Sequence, residues 1–267
     1  MATQRVLQAY DILELIFLSI RDGTRKGDLA RAARVCKAFF LPAVKLLWER
    51  MYDLLPLFKI FEGLHPTEGG FSHRKELAYC FCRPISPQEW TRYKLYSQCI
   101  KSAFFSRQKW TIHPSALEYM SKTNGGAPLL PAVQHFEWEQ ISPLDFSMNK
   151  FTSSMMRVFA FKYLGEELSH GSSMTTDNAM EFHMKLLFDD LSVKAHSLEE
   201  ITIYGIDQLS SLLSFSICNR LRKVHLTIES TLDPAVLTMF ASFKSLTQLT
   251  WVVSIWVTQR LSYTWLL

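Results

Sequence analysis

Cysteine is scarce in this chain, five among 267 residues, and the count is odd. With no secretory signal, that number suits free thiols in a reducing compartment, the cytosol or the nucleus, better than a disulfide framework. Charged residues are a modest 20% of the chain, a globular composition when set beside its apolar share. Runs of like charge are missing, so the net charge of +4 is dispersed and gives no footprint for nucleic acid. Long apolar runs are missing too. Acidic residues at Asp11 and Glu14 break up the stretch Ile12 to Ile20, and no small-residue cleavage site follows it. Leu249 to Val257 is nine residues long, where a spanning helix needs about 20. Neither a signal peptide nor a membrane span is expected.

Catalytic constellations are equally lacking. No G-x-S-x-G, G-x-x-x-x-G-K, H-E-x-x-H or Rossmann glycine set occurs. Cys80-x-Cys82 with Cys99 and His73 invites a zinc site, but the usual spacer and a matched second pair are absent. Paired carboxylates Glu166-Glu167 and Asp189-Asp190 are adjacent, so they diverge on a helix or strand and read as solvated surface. Aromatic and basic residues interleave at Trp90, Arg92, Tyr93, Lys94, Tyr96, Arg107, Lys109 and Trp110. A single-strand binder would need that mixture, yet an amphipathic helix whose Lys and Arg stems lie along apolar surface needs it equally. No cofactor, no metal, no nucleic acid, no membrane and no catalysis are expected.

What the chain does have is 48% apolar residues, enough for a substantial core. Val6, Leu7, Ile12, Leu13, Leu15, Ile16, Phe17 and Ile20 recur at helical spacing over residues 5 to 21. Asp22, Gly23, Thr24 and Gly27 supply a turn, and Asp28 is placed to cap a helix from Leu29 toward Phe39. Pro42 fits the first turn of a third helix burying Val44, Leu47, Trp48 and Met51, which Pro56 ends or redirects. Three short helices bury little among themselves, so large apolar side chains are left for the rest of the chain, or a partner protein, to cover.

Gly63, Pro66, Gly69 and Gly70 mark a loop, and a boundary is expected between Gly63 and Ser86. Ser86, Pro87 and Gln88 read as a helix start leading into Trp90, Tyr93 and Leu95. Asn124, Gly125, Gly126, Pro128 and Pro131 form the next break. From residue 133 a pattern recurs: apolar, two others, apolar, one other, apolar. Its instances are Val133-Phe136-Trp138, Met156-Phe159-Phe161, Leu198-Ile201-Ile203, Leu221-Val224-Leu226 and Leu246-Leu249-Trp251. Their starts lie 23, 42, 23 and 25 residues apart, and the long interval holds a predicted helix from Asp177 to His196. Shorter helical segments are predicted over Leu209 to Ile217 and Pro234 to Phe243. Strand, loop and helix at such a period is the signature of a leucine-rich-repeat solenoid, with an irregular α/β domain as the alternative. Trp251 to Leu267 is apolar and lacks the polar cap a solenoid needs, so a truncated or mispredicted repeat array, poorly soluble alone, is expected.

The run Asp11-Ile12-Leu13-Glu14-Leu15-Ile16-Phe17, then Asp28 to Phe39 with Val35-Cys36-Lys37, then Leu46-Leu47-Trp48, resembles the F-box in order, spacing and residue type. Continuation through Met51 to Leu57 is similar to the version common in mushroom-forming fungi, where leucine-rich repeats often follow. Ala9 and Tyr10 stand where the family usually has a proline, and Phe39 where Trp is common. The resemblance implies three helices that dock onto an SKP adaptor and through it a cullin-RING ubiquitin ligase, with the following domain selecting an unknown protein substrate. It implies adaptor contacts at Ile12, Leu13, Ile16, Phe17, Leu29, Val35, Cys36 and Phe39, with Trp48 either touching the adaptor or closing the helices. Arg31, Arg34 and Lys37 would give rim charge or a solvated face, and Cys36 is expected to be a small buried hydrophobe.

The expected organisation is therefore α + α/β: an F-box-like helical module at 1–62, a helical linker or first irregular repeats at 63–131, and a short, irregular leucine-rich-repeat-like region at 132–267. The expected function is substrate recognition in an SKP-cullin-F-box ligase, in the cytosol or nucleus. Alternatives are a repeat scaffold without ligase coupling, a single-stranded nucleic-acid binder, or an unrecognised hydrolase.

Overall fold

The structure is a computed structural model that describes residues 10–23, 26–67, 77–106, 110–140, 147–164, 174–206, 210–228, 233–254 and 260–266. Three helices open it: α1 (Tyr10–Gly23), α2 (Lys26–Ala32) and α3 (Lys37–Trp48). They enclose a small core of Leu13, Phe17, Leu29, Ala43 and Leu46, with Phe39 set edge-on to Phe17 at 5.3 Å. Two boundaries differ from those predicted. α2 stops at Ala32, the chain turns through Arg34 and Val35, and α3 begins at Lys37, with Pro42 buried inside it. The Phe39–Phe17 contact explains the shift, because seating that ring winds the segment before Pro42 into helix.

The chain then runs straight into sheet. Strand β1 (Arg50–Met51) leads to α4 (Leu55–Phe58), β2 (Leu64–Thr67), β3 (Leu77–Phe81), α5 (Pro87–Ser97), β4 (Ser102–Phe105), β5 (Trp110–Ile112) and α6 (Pro114–Thr123). After these come β6 (His135–Gln140), β7 (Val158–Tyr163), α7 (Met174–Lys194), β8 (Glu200–Tyr204), β9 (Lys223–Ile228), α8 (Pro234–Ala241), β10 (Gln248–Ser254) and β11 (Arg260–Leu266). A large sheet has the order β1-β4-β6-β7-β8-β9-β10-β11; all pairs are parallel except the last, where β11 returns along β10. Strands β2, β3 and β5 form a separate small sheet.

The second and third residues of all five predicted apolar triplets lie on this parallel sheet in one register, Phe136 beside Phe159, then Ile201, Val224 and Leu249, while the first residue of each precedes its strand. Two further strands in the same register were not predicted. Ile100-Ala103-Phe105 fits the spacing and aligns with Phe136 through Ala103, and Met51 aligns with Ala103. The lead-in to each strand is built alike. The carbonyls of Glu49, Lys101, Gln134, Arg157, Glu199 and Arg222 each accept two backbone N–H bonds, of 2.7 to 3.1 Å, from the next strand over. Such a ladder satisfies the polar backbone where the chain enters the sheet.

One face of the sheet is covered by helices and 3-10 turns. Phe105 stacks on Trp138 at 4.2 Å, Phe161 meets Phe188 of α7, and Phe188 meets Phe215 in the 3-10 segment Ser210–Ile217. Met51, Leu54, Leu57, Phe58 and Phe61 belong to this core and not to that of the three helices, so the change of packing falls near Glu49, ahead of the predicted boundary. Trp48 stacks on Tyr96 of α5 at 4.8 Å and Glu49 pairs with Lys101 at 3.1 Å, joining the two parts. No helix among the described residues is long and apolar enough to cross a membrane.

Candidate functional site

Helix α1 is apolar on more than one side. Leu13 and Phe17 point into the three-helix core, whereas Ile12, Leu15 and Ile16 are 39, 67 and 43% exposed. Spacings of three and four residues place that exposed trio on one stripe. Val35 is 68% exposed in the turn before α3, Cys36 beside it is exposed, and Leu41 on α3 is 52% exposed. The nine residues singled out for adaptor contact therefore divide. Ile12, Ile16, Val35 and Cys36 present side chains outward; Leu13, Phe17 and Leu29 are core; Phe39 is half-buried against Phe17; Trp48 is taken up by its stack on Tyr96. Cys36 was expected to be buried and is not, because the turn at Val35 holds its backbone extended, clear of the core. Around this patch Arg34 and Lys37 are exposed, and Arg31 pairs with Asp28 at 3.0 Å.

The second candidate surface is the sheet face turned away from the helices. Alternation along a strand sends every second side chain there, and parallel register lines these up in rows. One row runs Arg50, Ser102, His135, Val158, Glu200, Lys223 and Gln248. In the next, one step along the strands, Phe104 is followed by Glu137, Ala160, Thr202, His225 and Thr250, and Tyr52 extends it beyond β1. Glu139 and Lys162 lie in the row after that. None of these residues was singled out from sequence, although the positions between the predicted triplets carried the signal.

Small side chains at Ser102 and Ala160 leave a hollow of about 380 Å³, walled by Tyr52, Phe104, His135, Glu137 and Val158. A second, polar hollow of about 260 Å³ lies over Thr202, Tyr204, His225 and Thr250. Glu139 is nearly buried, pairs with Lys162 at 3.3 Å and accepts a hydrogen bond from Ser106 Oγ. Glu137, two residues earlier, is pushed above its ordinary pKa, first by burial and then by the Glu139 carboxylate, while Lys162 acts in the opposite direction.

Other chemistry-bearing groups are accounted for by packing. Tyr93 is buried, donates its hydroxyl to the Leu129 carbonyl at 3.0 Å and stacks with Trp90 and Phe61, so Trp90, Tyr93 and Tyr96 of the basic–aromatic segment pack on the core. Lys94 lies over the Trp90 ring at 5.7 Å; Arg107 and Lys109 fall outside the described residues. Burial raises the Cys99 pKa, with Lys45 opposing, and Cys99 Sγ donates to the Leu95 carbonyl. Among the described residues no group of three or more His, Cys, Asp or Glu could hold a metal ion; His73 lies outside them. No protein-family model, curated protein or solved structure matches the chain.

Proposed function

We propose that this chain is a substrate-recognition adaptor, whose three N-terminal helices bind an SKP-type adaptor of a cullin-RING ubiquitin ligase and whose parallel sheet, a leucine-rich-repeat-like solenoid, binds a protein substrate. One observation carries the reading: α1 exposes Ile12, Leu15 and Ile16 as a stripe although Leu13 and Phe17 already supply its share of the core. Exposed aliphatic surface of that kind is what a packed protein interface covers. The rim fits an acidic partner, since Arg34 and Lys37 flank Val35 and Cys36.

The test is co-purification of the whole chain with an SKP-type adaptor. Wild type is expected to capture it, and Ile16→Asp and Val35→Asp to abolish capture by placing an unpaired charge in an apolar interface. Both side chains are exposed in the free chain, so the variants should unfold with the wild-type midpoint. Failure of the wild type to bind, or full binding by both variants, would overturn the reading. A scaffold without ligase coupling would want α1 covered by the chain itself, and α1 is open on one side.

A further inference from the structure

The geometry points to the hollow beside Glu137 as the site for an extended segment of a protein partner carrying an aliphatic or aromatic side chain with a lysine or arginine close by. This deepens the substrate half of the proposed function and rests on it. The apolar part of the recognition follows from the lining. Phe104, Tyr52 and Val158 stand around the small Ala160 and Ser102, and Tyr52 is 73% exposed. Lys26 Nζ lies over one face of the Tyr52 ring at 5.6 Å, and an apolar side chain entering the hollow buries the ring surface that remains exposed.

The charge follows from the row itself. Between Tyr52 and Thr250, Glu137 is the one carboxylate and no lysine or arginine shares its row. Lys162, in the next row, is taken by Glu139 at 3.3 Å, and the Glu137 side chain has no hydrogen-bond or ion-pair partner among the described residues. Arg50 and His135 occupy the preceding row; His135 lines the same hollow and Arg50 does not. Two carboxylates therefore share one ammonium group, and the unmatched one borders apolar surface. A partner's cation restores the balance, whereas a partner's carboxylate would add a third like charge. In an extended chain, residues two apart project to the same side, so the anchor and the cation can descend together.

The experiment uses the whole chain and an array of short extended peptides. Each holds Leu or Phe at one position and Lys, Arg, Ser or Glu two positions on, in a Ser/Thr host. Peptides with Lys or Arg are expected to be retained over their Glu counterparts by about tenfold or more, the scale of one close charge pair. Glu137→Lys should reverse that preference. Ala160→Phe, which fills the hollow and leaves the charge in place, should abolish retention of every peptide. Retention without preference between Lys and Glu, no retention at all, or an unchanged preference in Glu137→Lys would overturn the inference. Adaptor capture through α1 is scored separately with Ile16→Asp, so either reading can fail while the other stands.

Discussion

At the scale of single residues, two positions decide more than their surroundings show. Glu89 closes a network at the start of α5: Arg83 donates to both its oxygens at 3.0 and 2.9 Å, and the backbone N–H groups of Ser86 and Glu62 add bonds of 2.8 and 2.7 Å. Chiefly through Arg83, its carboxyl falls from 4.5 to about 2. A carboxylate whose folded pKa is depressed adds stability that is present above its unfolded value and is lost as pH falls through the folded one. Urea midpoints of the wild type should therefore decline between pH 4.5 and about 2, and Glu89→Gln should lower the midpoint at neutral pH and flatten that part of the decline. Gly205 is the second. Its φ is +72° and a Cβ there would lie 2.6 Å from the Tyr163 carbonyl oxygen, whereas at Gly125, with φ of +64°, a Cβ meets nothing within 4 Å. Gly205→Ala should cost about 1–3 kcal/mol from strain plus clash, and Gly125→Ala about 1 kcal/mol from backbone strain alone. Thermal denaturation of the two variants distinguishes them.

At the scale of elements, α1 carries apolar residues on a buried side and on an exposed one. Leu13 and Phe17 are 1 and 3% exposed, so Leu13→Ala should destabilise the three-helix unit by about 2–5 kcal/mol. Leu15→Ala, at a position 67% exposed, should change stability by less than about 0.5 kcal/mol. Equal losses in denaturant titrations would contradict this assignment of inside and outside. Helix α5 is legible in the letters alone: Ser86 accepts from the Glu89 N–H, Glu89 accepts from the Ser86 N–H, and Pro87 takes the first helical position. That capping box is a local arrangement, needing only residues three apart. The start of α3 is not, because Pro42 would open a helix on local grounds and the Phe17–Phe39 contact places it inside one.

At the scale of the molecule, two hydrophobic clusters share no member; one belongs to the three helices and the other to the sheet and its covering helices. Links between them among the described residues include the Trp48–Tyr96 stack, the Glu49–Lys101 pair, the Glu49 carbonyl accepting from Lys101 and Ser102 N–H, and Lys26 Nζ donating to the Arg50 carbonyl at 2.8 Å. Native-state hydrogen exchange should therefore find α1 to α3 opening as a unit at lower free energy than strands β6 to β9, and Leu13→Ala should speed exchange in the helices alone. Uniform exchange across both parts would instead mean one cooperative unit.

Periodicity is local, so the sequence by itself determined what depends on spacing: a helix at α1, the start of α5, five apolar triplets each leading into a strand, and the helix between two of them. Two more strands carried the same signal weakly, since Ala103 offers little apolar bulk and β1 is only two residues long. Tertiary structure alone decided which side of each element is inside. Leu13 and Ile16 look alike as letters, and only packing against Leu29 and Leu46 makes one core and the other surface. It also decided the rows of the open face. Glu137, Phe104 and Ala160 are far apart in the chain, and a shared register of parallel strands, fixed by the lead-in carbonyls and the buried triplets, brings them side by side.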